Sequence, residues 1–277
     1  MLLEDIFETG HIGCIEPTFA DLTSDYFTAE LLELEAGEGR LLIGEDERPI
    51  AFAVRSGDQW TAASFVCRPC RPEIFGRMEE LGGDIYQEPQ QEYLRALMEY
   101  YSLRLCGQVP PAPEDNRPGR QEMIVALLRE VWDDIDGRSC IDCCCGSGVV
   151  SAALRECGAY PIAYDNDPGL IALGLAAGRL VPDQVMHIDA TLAASYIGPA
   201  DLGVGLMMGD ISSFNRGMWQ QIVWQLLYLS ERTLLTTATE PEIRLIEEWC
   251  GEMGRTTEVF GHDADPIYDA WVCVARQ

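Results

Sequence analysis

The chain contains no lysine. All 19 basic residues are arginine, set against 46 Asp and Glu, for a formal net charge of −27 over 277 residues. That absence excludes a P-loop lysine, a pyridoxal Schiff base and a lysine general base. Histidine is scarce too, with three copies. No apolar run approaches the roughly 20 residues that span a bilayer, and no secretory leader opens the sequence, so no membrane partner is expected.

The acidity is spread along the chain: residues 1–115 hold 8 Arg against 23 acids, and residues 116–277 hold 11 against 23. Such a surface repels nucleic acid and anionic membrane at long range, which argues against an RNA or DNA substrate, although acidity also serves solubility alone. With 47% hydrophobic residues the chain is globular rather than disordered. Its length fits two domains, or one with a large extension.

Eleven Cys without a leader point to free thiols in a reducing cytoplasm. Two Cys-x-x-Cys pairs, Cys67 with Cys70 and Cys140 with Cys143, have the spacing of zinc ligands, and the first also that of a redox pair. Cys140 and Cys143 fall in a strand whose alternate side chains point to opposite faces. No metal is therefore expected, and the thiols read as small buried apolar residues.

What the sequence does contain centres on residues 140–148, Cys-Ile-Asp-Cys-Cys-Cys-Gly-Ser-Gly, followed by Val149-Val150-Ser151-Ala152-Ala153-Leu154. A short apolar run, a small Gly-containing turn and a helix-compatible run read as strand, turn, helix. Glycines there let the backbone approach a ligand, and the helix N-terminus offers free N–H groups. A dinucleotide fits poorly, because Ser151 stands where the third small residue should pack helix on strand, and Asp142 at the strand's end would repel a pyrophosphate. A sulfonium would be attracted by the same carboxylate.

The run Asp142-Cys143-Cys144-Cys145-Gly146-Ser147-Gly148 resembles motif I of the class I S-adenosylmethionine-dependent methyltransferases, acid-x-Gly-x-Gly-x-Gly, with Cys144 at the first glycine. Cys is small, so the turn survives unless that position needs a positive φ, in which case cofactor affinity suffers. Asp165 ends the apolar run 160–164, and Asn166-Asp167-Pro168 follows. A carboxylate there can accept both ribose hydroxyls. Asp189-Ala190 ends the run 185–188, and the resemblance implies that Asp189 receives the adenine amino group and the Ala190 N–H bonds its ring nitrogen. The implied cofactor is S-adenosylmethionine, held by Asp142, Cys144, Gly146, Ser147, Gly148, Asp165, Asn166, Asp189 and Ala190. The competing reading is three N-cap acids that start three helices.

Taken in order, residues 29–34 suit a helical turn, and 40–44, 49–55 and 60–66 suit strands of a β-meander separated by turn residues. Helices follow at 72–81 and 90–105; Tyr93, Leu94, Leu97 and Tyr101 form one apolar stripe in the second, and Tyr100 and Tyr101 are candidates for a substrate wall. The proline-rich stretch 109–119 is a linker, which sets the domains at 1–112 (α+β, a candidate specificity domain) and 113–277. The second domain reads as helix 121–132, the motif strand, strands at 160–164, 185–188, 201–208 and 233–237, helices at 169–180, 218–229 and 240–250, and a final strand pair at 257–260 and 268–275. The fold class expected is α/β: a doubly wound, mostly parallel seven-stranded sheet of the Rossmann-like methyltransferase type, with an N-terminal α+β domain.

Ligands of such sheets sit beyond the carboxyl ends of the strands. The loops 209–214 and 261–265 should therefore face substrate, with Asp210 the candidate base and His262 the second candidate. His11 and His187 read as non-catalytic. By resemblance, the strand-four loop Gly209-Asp210-Ile211-Ser212 lacks the Asn/Asp-Pro-Pro-aromatic signature of enzymes that methylate base amino groups, and no Pro-Cys pair stands there as cytosine-carbon enzymes need. The reading is an S-adenosylmethionine-dependent methyltransferase with a small-molecule or protein acceptor. The alternatives are a non-catalytic cofactor-binding regulatory subunit and a nicotinamide oxidoreductase.

Overall fold

A computed structural model describes residues 2–114 and 116–277; Met1, and Asp115 in the expected linker, lie outside the described residues. The chain separates into two compact units, Met1–Arg104 and Leu105–Gln277. The proline-rich stretch chosen from sequence as the domain border falls inside the second unit.

The first unit is α+β. Helix α1 (Leu3–Ile6), strand β1 (Ile12–Cys14) and helix α2 (Tyr26–Glu33) lead into β2 (Glu38–Ile43), β3 (Pro49–Ser56) and β4 (Gln59–Ser64); α3 (Glu73–Leu81), β5 (Asp84–Gln87) and α4 (Gln90–Gln108) follow, α4 running through the division between the units. The sheet order is β1-β4-β3-β2-β5. The expected meander is its centre, with antiparallel β2-β3 and β3-β4 pairs, while β1 and β5 add to its edges in parallel. Those two strands, of three and four residues, are too short to show a period in sequence. Leu41, Phe52, Val54 and Ala63 face α2 and α3 through Leu31, Ile74 and Met78.

The second unit alternates strand and helix: α5 (Arg120–Val131), β6 (Ser139–Cys143), α6 (Val149–Glu156), β7 (Tyr160–Asp165), α7 (Pro168–Ala176), β8 (Val185–His187), β9 (Ala200–Gly205), α8 (Arg216–Leu229), β10 (Ser230–Thr237), α9 (Glu240–Glu252), β11 (Thr256–Gly261) and β12 (Trp271–Arg276). The seven strands lie in the order β11-β12-β10-β9-β6-β7-β8. Six run in one direction, and β12 inserts antiparallel between β10 and β11. This is the doubly wound, mostly parallel sheet that the alternation predicts. Leu202 and Val204 of β9 pack on the α5 and α6 side with Leu128, Val150 and Leu154. The intervening Gly203 and Gly205 leave room for α8 on the opposite face, where a Cβ on Gly203 would come within 2.8 Å of Leu226 Cδ1. Both faces are thus covered, as parallel sheets require.

Strand order reverses at β6: the chain steps from β6 to β7 and β8 on one side, and to β9 and β10 on the other. The crevice outside the carboxyl ends of β6 and β9 is the place where such folds admit ligands.

Candidate functional site

The turn after β6 is built on left-handed residues. Cys144 has φ +55°, Gly146 φ +52° and Gly148 φ +78°. Gly148 is also held by space, since a Cβ there would lie 2.5 Å from Leu180 Cγ. Cys144, at the first glycine of the motif, does need the positive φ that a side chain disfavours, at a cost of about 1–2 kcal/mol for the left-handed backbone. Its N–H neighbours are placed by Asp165 at the end of β7, whose carboxylate accepts from the Gly146 N–H (2.8 Å) and the Asp167 N–H (2.8 Å). Burial holds the Asp165 carboxyl above its usual range, against the pull of those two donors. Asp167 in turn caps α7, accepting from the Gly169 and Leu170 N–H groups ahead of a helix that opens on Pro168.

Here the turn and Asp165 line one cavity of about 350 Å³, within the range of small-molecule sites. From the motif come Cys144, Cys145, Gly146 and Ser147, and from the strand-four end come Leu206, Met207 and Met208. Trp219 of α8, Tyr268 of the β11–β12 loop, and Asn116, Arg117 and Arg120 complete much of the wall. Most of that wall is apolar or aromatic, with a few charged groups converging on it.

Arg120, the first residue of α5, is the anchor of one side. Its guanidinium pairs with Asp269 (3.1 Å) and Asp265 (3.9 Å) and lies 4.4 Å over the Tyr268 ring. Asp269 Oδ1 accepts from the Met207 N–H at 3.1 Å and from the Thr236 hydroxyl. Met207 is itself left-handed at φ +55°, so this chain of bonds holds a strained residue at the end of strand four, on the cavity wall. Burial lifts the Asp269 carboxyl above its usual range, and Arg120 opposes that lift. No residue of the loops 209–214 and 261–265, expected from sequence to face substrate, lines this cavity, whereas Arg120, Trp219 and Tyr268, which sequence did not select, do.

The other residues selected from sequence lie elsewhere. Asp142, 1% exposed, accepts a 2.6 Å hydrogen bond from the Ser151 hydroxyl of α6, beneath the turn and outside the cavity lining. Burial pushes its carboxyl up to about 7, with Asp165 adding to the rise and Ser151 opposing it. That hydrogen bond ties β6 to α6. Asp189 is exposed and caps the 3-10 turn Ala190–Ser195, accepting from the Thr191 N–H (2.9 Å) and hydroxyl (2.8 Å). Gly148, Asn166, Asp189 and Ala190 do not line the cavity, though Asp165 and Asp189 end neighbouring strands, tied by the Ile188 N–H to Asp165 carbonyl bond. Asp210 is exposed, with φ +57°, and its carbonyl accepts from Asn215; His262 Nδ1 lies 3.1 Å from the Asp269 carbonyl. Neither lines the cavity. Tyr100 and Tyr101 of the first unit bond to the Cys14 N–H and the Glu16 carbonyl. Among the described residues, no group of three or more His, Cys, Asp or Glu side chains is placed to hold a metal ion, and no helix is long and apolar enough to cross a membrane.

The sheet order, the reversed β12 and the glycine turn after β6 define a Rossmann-like fold of the class I methyltransferase type. No protein family model matches the chain, and no curated protein matches its sequence. Solved structures do resemble it. Magnesium protoporphyrin IX methyltransferase from Synechocystis PCC 6803, solved with bound SAM, is 16% identical over 68% of this chain and 97% of its own, with a TM-score of 0.45. A precorrin-6y C5,15-methyltransferase from Geobacter metallireducens GS-15 is 14% identical over 60% and 94%, at 0.43. A proposed RNA methyltransferase from Pyrococcus horikoshii is 15% identical over 64% and 96%, at 0.45. At such identities and TM-scores the likeness carries no activity over to this chain.

Proposed function

We propose that the second unit binds S-adenosylmethionine in this cavity and transfers its methyl group to a small-molecule or protein acceptor. The observation that supports this is the meeting of the Cys144–Ser147 turn with Asp165 in one cavity at the strand-order switch. The donor set fits: each Asp165 oxygen has one backbone N–H partner and keeps lone-pair capacity for a ribose hydroxyl.

Bound there, the cofactor would supply an electrophilic methyl on a sulfonium, so the chain need only orient the acceptor and exclude water. Asp165 holds the ribose, and Leu206, Met208, Trp219 and Tyr268 supply a dry wall beside it. The acidic surface and the strand-four loop argue against nucleic acid as acceptor. In this reading the first unit sets acceptor choice, and eleven cysteines outside any disulfide suit a cytoplasmic protein.

Calorimetry with S-adenosylhomocysteine tests the reading; no binding at millimolar ligand would end it. A second reading, a cofactor-binding subunit without activity of its own, is favoured by Cys144 at a strained glycine position and by the absence of Asp210 and His262 from the cavity lining. Cofactor binding without methylation of any component of a cell extract would favour it over the first.

A further inference from the structure

The motif turn carries three consecutive thiols where its resemblance calls for a glycine and two variable residues, and the middle one occupies the strained position. Cys144 is partly exposed and lines the cavity, whereas Cys143 is 1% exposed at the end of β6. Their sulfurs lie 3.8 Å apart, with the Cys143 thiol donating to Cys144 Sγ. The Cys145 thiol is engaged elsewhere, donating to the Gly146 carbonyl at 3.7 Å. Glycine would meet the left-handed φ without strain, and strained non-glycine residues gather where a side chain has a task.

We propose that Cys144 and Cys143 are a redox pair whose closure to a disulfide in the cavity wall weakens cofactor binding by the second unit. This regulation rests on the methyltransferase reading above. Cys144 as thiolate attacks one sulfur of a low-molecular-weight disulfide such as glutathione disulfide, giving a mixed disulfide at Cys144 and releasing one glutathione thiolate. Cys143 then loses its proton to solvent and attacks Cys144 Sγ, releasing the second glutathione. Two protein thiols are oxidised, one external disulfide is reduced to two thiols, and two electrons pass between them.

Two physical points set the character of the switch. Neighbouring Cα atoms across a trans peptide are ~3.8 Å apart, short of the ~4.4–6.8 Å that unstrained disulfides span, so the closed form is strained and readily reduced. Strained disulfides form the labile, regulatory class. The neighbouring Cys143 thiol, together with burial, holds the Cys144 thiol well above its usual range. Closure is therefore slow, and it follows a sustained shift in thiol poise rather than a brief oxidant pulse.

The test uses the full chain. Reduced protein is incubated with excess glutathione disulfide and mapped by peptide mass spectrometry, and S-adenosylhomocysteine affinity is measured before oxidation, after it, and after return to reduced glutathione. The expected result is loss of two hydrogens in the peptide holding Cys143 and Cys144, with affinity at least tenfold weaker and restored on reduction. Cys143→Ser is expected to stop at the mixed disulfide, gaining one glutathionyl group at Cys144. Free thiols at both positions after oxidation, a mixed disulfide that persists in the unaltered chain, or a formed disulfide with unchanged affinity would each overturn the proposal. Reduced protein that fails to bind S-adenosylhomocysteine at all would instead remove the methyltransferase reading, and the mass map reports on the thiol pair independently of it.

Discussion

Each unit buries one arginine among acids, and the two do different things. In the first unit, Arg68 and Glu16 have side chains 2% and 0% exposed; Arg68 also donates to the Leu22 carbonyl and the Thr28 hydroxyl, and Glu16 accepts from the Ser64 N–H. Burial nonetheless lifts the Glu16 carboxyl above its usual range, outweighing the pull of Arg68, as expected where desolvation exceeds the Coulomb gain. In the second unit, Arg120 grips two acids just as buried but itself lines the cavity. A buried charge whose donors all turn inward is scaffold. One that keeps a side open to a hollow also shapes what the hollow can hold.

Five substitutions sharpen or break that contrast. Arg68→Ala strands Glu16 in the interior and should cost about 3–5 kcal/mol of stability in denaturant unfolding; a loss below 1 kcal/mol would show the pair to be hydrated. Next comes Asp142, whose carboxyl titrates near 3.8 unfolded and about 7 folded. The folded state holds the proton more tightly, so stability from this group is full below pH ~4 and is lost as pH rises to ~7, by on the order of 4 kcal/mol. Asp142→Asn should remove that slope, seen as a stability difference from the parent chain that grows between pH 4 and 8; parallel curves would place the titration elsewhere. Asp165→Ala should weaken S-adenosylhomocysteine binding by ~3 kcal/mol, roughly a hundredfold, as charge-assisted hydrogen bonds to the ribose vanish. Equal affinities in the titration would mean that the cofactor lies elsewhere.

Arg120→Ala leaves Asp265 and Asp269 unpaired beside an open cavity, where water can reach them, so the cost should be smaller than at Arg68, about 1–3 kcal/mol. Equal costs for the two arginines would erase the distinction drawn above. The smallest effect is expected at Cys144→Gly. Relief of the left-handed strain, about 1–2 kcal/mol, is partly offset by the greater freedom of glycine in the unfolded chain, leaving a net gain below about 1 kcal/mol in thermal or chemical unfolding. A destabilised variant would mean that the Cys144 side chain packs better than its backbone suffers.

Much of the second unit was legible because its elements advertise themselves locally. Asp167 before Pro168 announces α7, the Gly146–Gly148 turn announces the β6–α6 corner, and the apolar runs of β7 and β9 are long enough to read. The site was legible in part. Strand alternation puts Asp142 on the same side as Cys140, toward the helix that carries Ser151, and Asp189 with Thr191 two residues later is an N-cap signature; both signals stood in the sequence and were outweighed by the motif's pattern. Arg120, Trp219 and Tyr268 had no such signal. They are separated by roughly a hundred and by fifty residues of chain, and only the closing of the sheet sets them around one space.

The antiparallel β12 has a consequence for how that closing happens. It lies between β10 and β11, with Val272 to Ala275 buried. When residues 256–261 leave the ribosome, the neighbour they need has not yet been made, and the flank of β10 stands unpaired. Residues 256–261 therefore cannot join the sheet until residues 271–276 have been made. Tyr268 of the cavity wall, and Asp269 that pairs with Arg120, immediately precede that later strand, so a half-made chain has the motif turn but no completed pocket.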